Sequence, residues 1–154
     1  MGVAVSMSLS RAIRLAHQGL DRAYRDMTPP VTMPQLAILE ALAEKRQATQ
    51  SELVDATGID RSTMANVLLA MIGRGLVVRE VSETDNRAKL VSLTAKGNKD
   101  MRVGRRALEI AEAAIAEPLP HIPRKAFIHA VEIMAAQALK GRETTRRRIV
   151  RQRT

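Results

Sequence analysis

Four polar side chains fall in one short stretch: Arg61, Ser62, Thr63 and Asn66. Arginine carries a planar fork of donors that fits guanine O6 and N7, and asparagine pairs a donor with an acceptor as adenine N6 and N7 require. On a helix, Ser62 and Asn66 share one side, while Met64, Val67, Leu68 and Met71 take the other. This pattern suits the reading of base edges in a major groove. Arg79, Arg87 and Lys89 form a second basic set around the polar run Ser82-Glu83-Thr84-Asp85-Asn86. An arginine at a hairpin tip fits the narrow, electronegative minor groove of A·T-rich DNA. Asp85, two residues before Arg87, is placed to orient its guanidinium by a bidentate pair. Ser51 opens an earlier helix, whose free N–H groups and positive dipole end suit a phosphate.

Bond-making chemistry finds no comparable support. His17, His121 and His129 lie in separate segments with no nucleophile or carboxylate motif beside them. There is no Gly-rich phosphate loop and no HExxH motif. The reading is that the chain is not an enzyme and carries no cofactor and no metal. With no cysteine, thiolate metal sites, disulfides and thiol redox switches are excluded.

Composition narrows the partner. Twenty-five Lys and Arg against 16 Asp and Glu leave a formal charge of +9 over 154 residues, which favours a polyanion. One Phe, one Tyr and no Trp leave little for stacking single-stranded bases, so duplex DNA is expected. No membrane-length apolar run and no signal-peptide layout appear, and a cytoplasmic protein is expected.

The elements that position these residues follow from periodicity. Leu9, Ile13, Ala16, Leu20, Tyr24 and Met27 predict a first helix over about 8–27, stopped by Thr28-Pro29-Pro30. Thr32 caps a second helix with Pro34 in its first turn, a stripe of Leu36, Leu39, Leu42 and Ala43, and an end near Lys45. Thr49-Gln50-Ser51-Glu52 is a capping box opening a third helix over about 50–56. Gly58 ends it in a left-handed conformation, Ile59 plugs the core, and Asp60 caps the fourth helix over about 61–73. Two helices joined this tightly form a helix-turn-helix. Leu76-Val77-Val78 and Leu90-Val91-Ser92-Leu93 predict a hairpin wing over about 77–93. From Thr94, a fifth helix carries Met101, Leu108, Ala111 and Ile115 until Pro118, Pro120 and Pro123 interrupt it. A last helix over about 123–140 bears Phe127, Val131, Met134 and Ala138, and the arginine-rich tail from Arg142 is expected to be disordered.

The expected fold is mainly α with a small β-hairpin wing: a winged helix-turn-helix plus a helical dimerisation lobe. Residues 1–30 supply a dimerisation helix, 31–94 the DNA-binding lobe, 95–141 further dimerisation helices and 142–154 the basic tail. The terminal helices carry apolar faces that the central module is too small to cover, so a second chain is expected on them.

Thr32-Met33-Pro34-Gln35-Leu36-Ala37-Ile38-Leu39, Ser51-Glu52-Leu53 and Gly75-Leu76-Val77-Val78-Arg79 stand in this order. Asp85-Asn86-Arg87 and Val91-Ser92-Leu93-Thr94-Ala95-Lys96-Gly97 follow them. With these motifs, the chain resembles the MarR (multiple antibiotic resistance regulator) family over about 30–140. The resemblance implies a triangular homodimer, recognition helices in two successive major grooves and Arg87 in the minor groove. It also implies ligand-controlled repression, commonly by small aromatic or phenolic acids or their thioesters. The family's ligand pocket, between dimerisation helices and DNA-binding lobe, would here draw on helices one and five, with His17 and Tyr24 as a polar edge. The chain departs from the family at Asn66, where a basic residue is common, and at Leu69, Ala70 and Ile72, where polar or charged residues are common. Leu69 either packs against the wing or touches a thymine methyl.

The function expected is a sequence-specific, ligand-responsive repressor acting as a homodimer on a pseudo-palindromic operator. The alternative is a non-specific architectural DNA-binding protein, which net charge alone would support equally.

Overall fold

The computed structural model describes residues 8–81, 89–117 and 122–151, with side chains to residue 137. Asp85, Arg87, His121, Pro118 and Pro120 lie outside the described residues. The elements are α1 (Leu9–Asp26), α2 (Met33–Lys45), β1 (Gln47–Thr49), α3 (Gln50–Thr57), α4 (Arg61–Gly73), β2 (Val77–Val81), β3 (Lys89–Leu93), α5 (Ala95–Ala116) and α6 (Arg124–Arg151). The chain divides into two compact units between Ile115 and Ala116. The architecture is mostly helical with a small antiparallel sheet, as expected.

In the first unit, α2 lies at the centre. Its stripe is wider than the one expected: Gln35, Leu36, Ile38, Leu39, Ala41 and Leu42 are all buried, whereas Ala43 is exposed. A helix enclosed by α3, α4 and the sheet must be apolar on more than one face. The core joins this helix to Leu53, Met64, Leu68, Met71, Leu76, Val77 and Val91.

The sheet has order β1-β3-β2, with Ala48 opposite Val91 and Arg79 opposite Val91 on the other side. The strand β1 was not evident in the sequence. Three residues are too few to show alternation, and Thr49 doubles as the N-cap of α3. Pairing with β3 supplies the backbone partners that so short a strand lacks by itself.

The Leu93-Thr94-x-x-Gly97 run acts as a joint. Thr94 Oγ1 donates toward the carbonyls of Gly75 (2.7 Å) and Leu76 (3.0 Å) and accepts from Gly97 N (2.9 Å), which caps α5 on the end of the wing. A Cβ at position 97 would fall 2.0 Å from the Leu76 carbonyl oxygen, so only glycine allows the two backbones to meet.

The helix α6, in the second unit, runs to Arg151, past the end expected near 140, and the tail from Arg142 is helical backbone up to Arg151 rather than disordered. Gly141 alone is a weak interruption, costing about 1 kcal/mol, and the arginines beyond it are good helix formers.

Candidate nucleic-acid interface

Capping fixes the two helices of the motif. Thr49 N donates to Glu52 Oε2 (2.7 Å) and Glu52 N to Thr49 Oγ1 (3.3 Å), completing the capping box of α3. The hydrogen bonds from the Thr49 backbone and hydroxyl hold the Glu52 carboxyl below the ordinary carboxylate range. Gly58 takes φ 72° and donates to the Val54 carbonyl (3.0 Å), closing α3. Two residues later, Asp60 Oδ1 accepts from Thr63 N (2.9 Å), and Thr63, by hydroxyl and backbone, holds the Asp60 carboxyl low. Ile59 packs against the core between these caps.

The far end of α4 is anchored by a residue that sequence reasoning missed. Arg74 Nη1 donates to Gln35 Oε1 (3.0 Å), and Nη2 donates to the Pro30 carbonyl. The same Gln35 oxygen accepts from Thr32 N (3.1 Å), so the buried amide caps α2 and ties α4 to it. Helix α4 is therefore gripped at both ends, with Met64, Leu68 and Met71 buried beneath it.

Arg61, Ser62, Thr63 and Asn66 are brought together on the exposed side of α4. Ser51 is half-buried at the start of α3, and Arg61 Nη2 donates to its hydroxyl at 3.0 Å. Gln50, which carried no distinctive signal in the sequence, bridges the motif to the sheet. Its Nε2 donates to the Arg61 carbonyl (3.4 Å), and its Oε1 accepts from Arg79 Nη2 (3.3 Å). Arg79 thus turns inward to α3 and leaves the outward basic set of the wing, where Lys89 stands exposed at the start of β3 opposite Val81.

Leu69 is left largely uncovered rather than buried. It is 62% exposed on the same side of α4 as Asn66, and Ala70 and Gly73 beside it are exposed as well.

The two residues expected to edge a ligand pocket are not brought together. Tyr24 is fully buried, its hydroxyl donating to the Val31 carbonyl at 2.8 Å, and burial, with Glu40 nearby, pushes its pKa up to about 12. His17 is exposed, two helical turns away. Tyr24 is a core residue here, because its ring fills the junction of α1 with the core and its one polar atom is already satisfied.

Among the described residues, no group of three or more His, Asp or Glu is placed to hold a metal ion, and no helix is long and apolar enough to cross a membrane.

A capped helix with a polar outer face, seated on a second helix through a left-handed turn and flanked by a β-ribbon, defines a winged helix-turn-helix DNA-binding protein. Residues 26–88 match the model of the MarR family. An uncharacterized HTH-type transcriptional regulator of Mycobacterium leprae is 30% identical over 105 residues, 68% of this chain and 71% of that relative. The chain belongs to the MarR family of transcriptional regulators.

Transcriptional regulator HosA of Escherichia coli is 41% identical over 71 residues, 46% of this chain and 53% of HosA, so the chain spans about half the length of that relative. Among solved structures, Bordetella bronchiseptica BpsR, whose DNA binding is regulated by 6-hydroxynicotinic acid, superposes with a TM-score of 0.75 at 20% identity. That match covers 90% of this chain and 98% of BpsR. The transcriptional repressor CouR, bound to a 23-mer DNA duplex, gives 0.74 at 25% identity over 83% of this chain and 92% of CouR.

Proposed function

We propose that this protein is a sequence-specific repressor that binds a pseudo-palindromic DNA operator as a homodimer and releases it when a small effector binds. The observation that carries the reading is the outer face of α4, where Arg61, Ser62, Thr63 and Asn66 stand exposed while Asp60 caps the start of the helix and Arg74 ties its far end to the buried Gln35. A rigid helix with base-reading side chains near its N-terminus is what major-groove readout needs. Arg61 reads guanine, Asn66 reads adenine, and Ser62 and Thr63 contact neighbouring edges or phosphates. Ser51 holds the Arg61 guanidinium and shares in the phosphate contact at the start of α3. Arg87, supported by Asp85, enters the minor groove, and Lys89 contacts the backbone beside it.

The partner chain covers apolar side chains left in solvent: Leu9, Ile13 and Leu15 on α1, and Phe127, Val131, Ile133 and Met134 on α6, are all more than 40% exposed. Two-fold symmetry then sets half-sites about 10 base pairs apart. The CouR complex supports the DNA assignment and BpsR the regulation by a small aromatic acid. An aromatic or phenolic acid, or its thioester, is the effector class, and no catalytic step is assigned.

Selection from random duplexes at near-physiological salt, followed by anisotropy titration, tests the reading. The expected result is a pseudo-palindrome bound by a dimer at least about a thousandfold more tightly than scrambled DNA. Retention of DNA with no sequence enrichment would overturn it in favour of architectural binding.

A further inference from the structure

We infer that Leu69 is a specificity residue that reads the 5-methyl group of a thymine in each half-site. The inference rests on α4 entering the major groove and adds a base class to that site. Within the described part of the DNA-binding lobe, only Leu69, Val78 and Val81 are large apolar residues counted as exposed, and at 62% Leu69 is the most exposed of them. It alone of the three lies on α4.

The position of Leu69 relative to the polar readers is set by helix geometry. Ser62, Asn66, Leu69 and Gly73 follow at steps of four, three and four residues, a single stripe along the helix. Leu69 is one turn beyond Asn66, about 4.5 Å along the axis, roughly the advance from one base pair to the next. The exposed side of α4 therefore changes chemistry along its length. Its first half, Arg61 to Asn66, carries donors and acceptors, and its second half, Leu69, Ala70 and Gly73, carries no polar side-chain atom. A face without donors or acceptors cannot distinguish bases by hydrogen bonding. The one apolar feature that base pairs present in the major groove is the thymine methyl. Ala70 and Gly73 are small and exposed, which leaves the flank of Leu69 open to an approaching base.

The test replaces each thymine of the selected operator, one at a time, by deoxyuridine, which removes the methyl and leaves every hydrogen-bonding edge intact. Wild type and Leu69→Ala are titrated on the same duplex set. One thymine per half-site, adjacent to the adenine whose recognition Asn66→Ala relaxes, should weaken wild-type binding about fourfold when replaced, the value of one buried methyl. Leu69→Ala, which removes the contact from both half-sites of the dimer, should bind the unmodified operator about sixteenfold more weakly and be indifferent to that replacement. Because the side chain is exposed, Leu69→Ala should keep the wild-type melting temperature, which separates a contact from a packing role. Wild-type indifference to every deoxyuridine, or unchanged sensitivity in Leu69→Ala, overturns the inference. If a specific operator is selected and Asn66→Ala relaxes it, only the methyl contact has failed. If no operator emerges, the groove reading fails with it.

Discussion

Arg61 carries two demands at once, since the guanidinium proposed to read guanine is held by the Ser51 hydroxyl at 3.0 Å. A neutral hydroxyl is a modest acceptor, so the bond aims the fork without competing strongly with a guanine edge. Arg61→Ala should cost about 1 to 3 kcal/mol of operator binding per half-site and relax preference at one position in each, whereas Arg61→Lys, keeping charge but not the fork, should relax that preference almost as much. Anisotropy titrations on the operator and its single-base variants decide this. Gly97 is the counterpart in the core. The carbonyl of Leu76 occupies the space that a Cβ would need, and backbone cannot swing aside as a side chain can. Gly97→Ala should lower stability by about 2 to 3 kcal/mol or more in urea melts. Tyr24 gives a cleaner reading, because it is the only tyrosine and there is no tryptophan. Its folded pKa of about 12 lies above the unfolded value of 10.0. The contribution is therefore complete below pH 10 and is lost as pH rises from 10 toward 12. Ultraviolet titration should show phenolate forming near 12 in the native protein and near 10 in denaturant; a native midpoint near 10 would contradict the buried hydroxyl.

At the scale of elements, α4 is held in place by polar contacts at its two ends, and these were unequally visible in the sequence. Asp60 before Arg61 and the Thr49…Glu52 box are local patterns, readable because cap and capped N–H lie three residues apart. The grip of Arg74 on Gln35 spans 39 positions and that of Arg79 on Gln50 spans 29, distances over which sequence spacing carries no geometric information. Arg74→Ala removes one of the two donors to the buried Gln35 oxygen and the donor to the Pro30 carbonyl, and should cost about 1 to 3 kcal/mol, more than an exposed arginine elsewhere, as denaturant melts would register. The two capping carboxylates are held low, so their contribution is present at neutral pH and fades as pH falls below the ordinary carboxylate range. Thermal melts of wild type and the Glu52→Gln, Asp60→Asn double variant should converge on acidification and differ most at pH 7. Helix α6 shows the opposite error, since a run of arginines reads as a solvated tail while its residues individually favour helix.

For the whole molecule, a charge of +9 and apolar residues in solvent on α1 and α6 support the proposed polyanion and the proposed second copy as partners. Replacing Ile13 and Val131 by Glu should convert the dimer to monomers in sedimentation equilibrium and lower operator affinity with it, because each half-site would then be bound separately. The sequence by itself determined the boundaries of α1 to α5, the helix-turn-helix, the hairpin and the polar run on α4, since each depends on contacts within about four residues or on strict periodicity. Only the tertiary structure decided that Tyr24 belongs to the core, that Arg79 turns inward to Gln50, that Ser51 serves Arg61, that β1 joins the sheet and that Leu69 stands in solvent. Which side of a residue is covered, and by which distant partner, depends on how elements meet in space, and residue type at one position does not specify that meeting.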